Sequence, residues 1–338
     1  MKNNSIVIAR GILIFLVVFG HSIITPIMNS SLFYEYLYNL IYQFHMPAYF
    51  FISGFLYINT ETKYNKKNIF FSKLKKLLFP YFIFFIVNYF VFLFLGNFDF
   101  FANFINNKEN VFSIYDFLSQ LFLNNNMFDR HLWFIYCLFL VFLYKLNFNF
   151  KKSKFINLFI SLFIYIIFDI LNYYFGLPLI IVYFTKYLFY FELGYLLYYK
   201  IVNNYSSKYS LISLFIFLIF PFFKIIIQDN TICNYLIISF LGIICAINGI
   251  YLLFLISNIF ISFKNKYILG SLNKLSRQSY NIYLIHQPFI INGISYITYK
   301  IFDNAFISII FSTFFGLFVI FGVIECFEYF RKRCLNEK

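Results

Sequence analysis

The sequence predicts an all-α, polytopic membrane protein with about ten transmembrane helices and both termini in the cytoplasm. Of its 338 residues, 62% are hydrophobic and only 12% are charged, and the mean hydropathy is +0.77. Soluble domains are nearer ~45–50% apolar and ~25% charged, so this chain would expose large apolar patches to water. Apolar segments recur along the whole length. We therefore expect one integral-membrane domain over residues 1–338, with no soluble domain.

Ten apolar segments are long enough to cross a bilayer, which takes about 20 mostly apolar residues. The first contains Arg10 inside its apolar run and lacks an A-x-A-like cleavage site, so we expect it to stay in place as a span. The eighth is long, and Gly242 or Gly249 could break it. The ten segments lie near residues 5–25, 36–58, 77–96, 131–149, 155–175, 179–199, 209–227, 233–261, 279–301 and 305–329.

The distribution of basic residues sets the orientation. Most of the 27 lysines and arginines fall in the segments that face inward when the N-terminus is cytoplasmic, which is the pattern of topology signals. The net charge of +14 is therefore no sign of a nucleic-acid partner. The five cysteines form no CxxC pair and read as small hydrophobic residues.

Arg10 and His21 are the first candidate functional residues. They lie eleven positions apart in the first span, so at ~100° per residue both leave the same helix face, roughly 16 Å apart along the axis. Ionisable groups inside spans are costly and usually face a cavity or the interior of the helix bundle. A snorkelling arginine and an unrelated interfacial histidine would give the same spacing, so spacing alone leaves both interpretations open.

All four histidines lie in or at the mouth of a span. The predicted boundaries put His21 in the outer third, His45 near mid-depth, His131 at an outer helix end and His286 in the inner third. These different depths argue against a shared metal site, which needs three or four ligands around one point, and we expect no metal. For each histidine, a hydrogen-bonded core residue is the alternative.

Three further groups of residues could bind or react. The lysines of "SKLKKLLFPYF" could hold an anionic cytosolic ligand or only set topology. Glu192 shares the sixth span with Lys186 and could be a functional acid or half of an ion pair within that helix. Trp133, at an outer helix end, could stack on a sugar ring or anchor at the interface. The three lysines are Lys73, Lys75 and Lys76.

Several of these stretches together resemble a known family. In order along the chain they are Arg10 and His21, "FHMPAYFFISGF", the basic stretch before "FPYF", "HLWFIYCLF", "FELGYLLYYK" and "SYNIYLIHQP". The set, from Arg10 to Pro288, resembles the acyltransferase-3 family of bacterial membrane O-acyltransferases, and its "FHMP" form is similar to the fucose O-acetylase-like branch.

The resemblance implies an enzyme of the bacterial cytoplasmic membrane. It would transfer an acetyl or similar acyl group from cytosolic acyl-CoA, with acetyl-CoA as the expected donor, to a hydroxyl of a surface glycan or its lipid-linked precursor. Arg10 and His21 match the family's essential pair. The stretch at Lys73–Lys76 matches a region that is usually richer in arginine, and lysine there attracts phosphate as a point charge without bidentate geometry.

On this hypothesis His21 is the general base, because neutral imidazole accepts a proton readily near neutral pH. Arg10 would steady the pantetheine arm, and the three lysines would hold the CoA phosphates. Residues that could orient His21 or line its cavity are His45, Glu192, His286 and Trp133, and acceptor recognition falls to Arg130 and His131. A transporter or flippase for a lipid-linked sugar is the main alternative, and it would move the glycan without forming an ester. A glycan polymerase would normally have a larger outer loop.

Overall fold

The computed structural model describes residues 2–95, 114–123, 130–148, 153–203, 208–227 and 231–336. These residues form helices and their connections, without a β-strand among them. The helices are α1 Lys2–Ser22, α2 Thr25–Met28, α3 Leu32–Lys63, α4 Lys66–Lys73, α5 Phe79–Leu95, α6 Ile114–Leu123, α7 Trp133–Asn147, α8 Lys154–Phe175, α9 Leu179–Asn203, α10 Ser210–Ile226, α11 Ile232–Phe263, α12 Lys266–Ile285, α13 Ile291–Phe302 and α14 Ala305–Asn336.

Within the residues just given, three short irregular helical segments connect or precede these helices. A wide turn at Leu74–Leu78 joins α4 to α5, a second one at His286–Ile290 joins α12 to α13, and a single 3₁₀ turn at Arg130–Leu132 precedes α7. Wide turns of this kind occur often at functional sites.

The predicted all-α membrane fold is confirmed. Nine of the ten predicted segments each coincide with one helix, and the ninth covers the end of α12, the turn at His286–Ile290 and most of α13. Among the described residues, six helices are long and apolar enough to cross a bilayer, with two shorter apolar helices at Trp133–Asn147 and Ser210–Ile226. The six are Asn4–Ser22, Lys66–Val91, Lys154–Phe175, Leu179–Leu197, Ile232–Phe263 and Ala305–Arg333. The count of ten crossings and the cytoplasmic termini stay predictions.

The ninth predicted segment starts too late. Its helix begins at Lys266 and not near residue 279, because Asn265 caps it by accepting hydrogen bonds from the backbone N–H groups of Tyr267 and Ile268. An asparagine at this position is a strong helix-start signal. Many of the residues that follow Asn265 are polar, so hydropathy alone does not indicate this part of the helix.

Tertiary contacts divide the chain into two compact units. The first comprises Met1–Tyr49 and Asn204–Lys338. In it α1 packs against α11, α12, α13 and α14. Polar contacts join α1 to two of these helices near its ends: Ser5 donates to Asn258 Oδ1 at 2.5 Å, and the hydroxyls of Ser22 and Thr313 are 2.9 Å apart. Hydrogen bonds between small polar side chains are typical of helix packing in membranes.

The second unit comprises Phe50–Asn203. Its α9 packs against α7 and α8, and α3 and α9 approach each other through two glycines. A Cβ at Gly54 would overlap the carbonyl of Phe191, and a Cβ at Gly194 would overlap the carbonyl of Phe51. Small residues at matching positions allow such close backbone contact. The packing explains the glycines in "FISGF" and "FELGY".

Candidate functional site

Arg10 is held against α12 in the first unit. Its Nη2 donates a hydrogen bond to Ser279 Oγ at 2.9 Å, and the Ser279 side chain is buried. The two helices come this close because Gly11 has no side chain, and a Cβ there would overlap the carbonyl oxygen of Leu272. The guanidinium group is therefore fixed on one side by a defined neighbour.

His21 lies at the other end of the same helix face. Its Nδ1 is 2.9 Å from the Tyr42 hydroxyl oxygen, and its ring centroid is 5.1 Å from that of His286. Ser279 and His286 belong to one helical stretch, so Arg10 and His21 both face that stretch, as their spacing predicts. The His21 side chain is half-buried. It thus sits where α1, α3 and the end of α12 come together.

Two buried histidines next to His21 have tautomers set by the backbone. His45 Nδ1 is 2.7 Å from the carbonyl of Ile41, and His286 Nδ1 is 2.7 Å from the carbonyl of Tyr283. A carbonyl only accepts hydrogen bonds, so each Nδ1 carries a hydrogen and donates it. In the neutral ring, the lone pair that can accept a proton is then on Nε2.

His286 lies at a break in its helix. The backbone of the next residue, Gln287, is extended (φ −128°, ψ 163°), and its side chain donates to Asn292 Oδ1 at 2.9 Å. Pro288 cannot donate a backbone hydrogen bond, so an uninterrupted helix is unfavourable here. The proline of "IHQP" thus predicts the break that is present, and the break turns the chain directly beside His21.

The different depths expected for His21 and His286 are wrong. The rings of His21 and His286 are in contact. The centroid of the His45 ring lies 4.9 Å from that of Tyr42, whose hydroxyl is hydrogen-bonded to His21. The three imidazoles therefore lie in one neighbourhood, His21 between His286 and the Tyr42 side chain that His45 contacts. The inner-third position of His286 came from starting the ninth span near residue 279. Because α12 already begins at Lys266 and ends at Ile285, His286 lies directly after the end of that helix. Among the described residues, no set of three or more His, Cys, Asp or Glu side chains is arranged to hold a metal ion; the exclusion of a metal remains a prediction.

Glu192 lies in the second unit, in a buried ion pair. Lys145 Nζ of α7 donates to Glu192 Oε2 at 2.7 Å, and their side chains are 0% and 1% exposed. The same Nζ lies 3.9 Å from the centroid of the Tyr195 ring. Lys186 is six residues before Glu192 on α9, and ~600° of rotation turns it to another face. The partner of Glu192 is thus Lys145, on a neighbouring helix.

The three candidate phosphate-binding lysines have unequal surroundings. Lys73 is half-buried, with Nζ 3.8 Å from the centroid of the Phe142 ring, whereas Lys75 and Lys76 are exposed. The wide turn at Leu74–Leu78 begins directly after Lys73 and contains Lys75 and Lys76. Lys73 therefore packs into the second unit, and the other two present their charges at its surface.

Trp133 lies in an aromatic cluster of the second unit. Its ring is half-buried, 4.3 Å from Tyr183 and 5.0 Å from Tyr187 between centroids. His131, two residues earlier, is buried with 4% exposure. The side chain of Arg130 lies outside the described residues, as do residues 97–113 and 124–129 of the outer loop that the sequence predicts over roughly 97–130.

Tyr42 and Ser279 belong to the site, although the sequence analysis assigned them no role. Tyr42 lies two residues before the motif "FHMPAYFFISGF", and Ser279 is the first residue of "SYNIYLIHQP". Tyr42 stands three residues before His45, which places both on one helix face. That spacing is the signal that could have found it.

These features define a multi-pass helical membrane protein whose first unit holds three neighbouring histidines and, on the same face of α1 as His21, Arg10 bonded to a buried serine. The family model for an acyltransferase domain, Acyl_transf_3, matches residues 3–325. The chain belongs to this acyltransferase-3 family, and it is a membrane acyltransferase. No curated protein and no solved structure matches it.

Proposed function

We propose that the protein is an O-acyltransferase of the bacterial cytoplasmic membrane. It moves an acetyl or similar acyl group from cytosolic acyl-CoA to a hydroxyl of a surface glycan or its lipid-linked precursor. The observation that carries this proposal is the placing of His21: a half-buried imidazole, bonded through Nδ1 to Tyr42, on the α1 face that also holds Arg10. The likeness to the fucose O-acetylase-like branch adds a deoxyhexose hydroxyl as the first acceptor to try.

His21 acts as the general base in this reaction. The acceptor hydroxyl oxygen attacks the thioester carbonyl carbon, forming a C–O bond while the C–S bond breaks. His21 takes the hydroxyl proton and passes it to the departing CoA thiolate. A single positioned acid–base group contributes typically ~10²–10⁴-fold to such a transfer.

Arg10 holds the donor in this proposal. A guanidinium carries five N–H donors in a fixed fork, and the bond to Ser279 uses one of them. The others suit the amide carbonyls of a pantetheine arm. The distance of roughly 16 Å along α1 between Arg10 and His21 matches an extended arm running from the inner end of the helix toward the base. Lys73, Lys75 and Lys76 are the proposed contacts of the CoA phosphates.

The test is CoA release from purified protein in nanodiscs, with acetyl-CoA and a bacterial surface-glycan extract. We expect extract-dependent release that is lost in Arg10→Ala and His21→Ala. Gly322→Ala is the matched control, because a Cβ there meets nothing within 4 Å. Size-exclusion profiles establish that all variants are folded. Full activity in His21→Ala would remove His21 from the mechanism.

One observation favours transport as the second candidate function. The helix break at Gln287 beside polar residues resembles the discontinuous helices of transporters. A flippase would carry a labelled lipid-linked sugar across a proteoliposome membrane without ester formation. Absence of CoA release with several acyl-CoAs and extracts, together with such movement, would establish transport in place of acyl transfer.

A further inference from the structure

We propose that Tyr42 is a positioning residue that holds His21 in the tautomer whose Nε2 is free of hydrogen and takes the acceptor hydroxyl proton. This inference rests on the proposed function of His21 as general base.

Tyr42 is itself held in place on α3. Its ring stacks on Tyr38 at 4.0 Å and 23°, and it meets the His45 ring edge-on at 4.9 Å. Residues 38, 42 and 45 fall on one face of a helix. The hydroxyl that meets His21 therefore comes from a side chain packed on two sides.

His21 differs from its two neighbouring histidines in what meets Nδ1. The backbone carbonyls at His45 and His286 can only accept, so those tautomers are fixed. A phenol both donates and accepts, so the hydrogen between His21 and Tyr42 can lie on either atom. The state of the base is thus decided by a side chain that one substitution can change.

The Tyr42 hydroxyl has one hydrogen, which can point toward His21 Nδ1 or away from it. When it points away, the Tyr42 oxygen accepts from Nδ1–H of His21, and Nε2 keeps its lone pair. The reverse direction would put the imidazole hydrogen on Nε2 and prevent proton uptake there.

The chemistry selects the first direction. When His21 takes the substrate proton it becomes a cation with hydrogens on both nitrogens, and Nδ1–H must then donate. A Tyr42 oxygen already oriented to accept needs no rearrangement at that moment, which is the kind of preorganisation that lowers a barrier. Tyr42 does here what an orienting carboxylate does for a histidine base in hydrolases.

Kinetics give the first test. We expect Tyr42→Phe, which keeps the ring, to lower kcat on the order of 10–100-fold, with KM for acetyl-CoA unchanged. In a His21→Ala background the same change should cause no further loss, since residues acting as one unit are not additive. Tyr36→Phe is the matched control: it removes another α3 hydroxyl, bonded to the Leu218 carbonyl at 2.8 Å, and should leave kcat unchanged. Equal kcat in Tyr42→Phe and wild type would overturn the proposal.

A second test needs no turnover. The chain has four histidines, so ¹⁵N-histidine labelling with His21→Gln as the assignment variant gives a short spectrum in lipid bilayers. We expect the neutral His21 signal to report hydrogen on Nδ1, and Tyr42→Phe to move it toward hydrogen on Nε2. Hydrogen on Nε2 in the wild type would overturn the inference about Tyr42, whereas missing CoA release with the expected tautomer would count only against the proposed reaction.

Discussion

Gly11 of α1 lies directly against the backbone carbonyl of Leu272 in α12. The residue before it, Arg10, donates a hydrogen bond to Ser279, which is also on α12. Because the two backbones approach each other so closely, the guanidinium group of Arg10 can reach the short side chain of Ser279. The helix contact and the functional contact are therefore one feature. A change at the glycine should alter the position of the arginine.

We predict that Gly11→Ala lowers acyl transfer strongly while the protein still inserts and folds. The added methyl group must push against backbone, and overpacking of this kind costs about 1–3 kcal/mol. The measurement is CoA release together with the melting temperature of the purified protein. Gly270→Ala, on α12 with nothing within 4 Å of its Cβ, is the control and should match wild type. Unchanged activity in Gly11→Ala would show that the Arg10–Ser279 contact is not needed.

The Lys145–Glu192 pair gives a prediction about stability. Removing one charge leaves the other buried and unpaired, which costs about 3–5 kcal/mol, whereas replacing both with apolar residues is often neutral. We expect Glu192→Leu and Lys145→Met each to lower the melting temperature and the yield, and the double variant to recover both.

The double variant also tests the supporting role expected for Glu192. Recovered stability with recovered CoA release would assign the pair to folding alone. Recovered stability with activity still absent would show that the carboxylate or the ammonium takes part in the reaction. Equal stability of both single variants and wild type would contradict the buried pair itself.

Trp133 allows acceptor binding to be observed directly. It is the chain's single tryptophan, so intrinsic fluorescence excited at its absorption edge reports on one ring. A sugar stacking on the half-buried indole beside Tyr183 would change its surroundings. We expect titration with acceptor glycan to shift or quench the emission, and Trp133→Phe to raise KM for the acceptor but not for acetyl-CoA. An interfacial anchor would give no response to the glycan.

The shared face of Arg10 and His21 could be predicted from the sequence because it depends only on positions within one helix. Helix periodicity fixes which residues share a side, whatever the helix packs against. The break at Gln287 was predictable for the same reason, since Pro288 lacks a backbone donor.

Contacts between helices were not predictable in this way. Nothing in the spacing of Lys145 and Glu192 pairs them, because 47 residues separate them and the packing of α7 on α9 brings them together. The level of His286 depended on the start of α12, and there the capping residue Asn265 was more informative than hydropathy. Tyr42 is one of 31 tyrosines, and its spacing three residues before His45 is weak evidence until the structure shows its bond to His21.

The surroundings of the three lysines separate a role in folding from a role in binding. Lys75→Gln with Lys76→Gln changes two exposed charges, so we expect normal yield, a raised KM for acetyl-CoA, and a weaker dependence of that KM on salt, since exposed charges act through screened attraction. Lys73→Gln removes an ammonium packed on Phe142, and a cation over an aromatic face contributes about 0.5–2 kcal/mol. It should therefore lower thermal stability as well. Lys67→Gln, an exposed lysine on α4, is the control for a general loss of positive charge. Lys67→Gln could raise KM as much as the Lys75 and Lys76 double variant does. The effect would then come from the overall positive charge of this surface, and these two lysines would have no specific contact with the CoA phosphates.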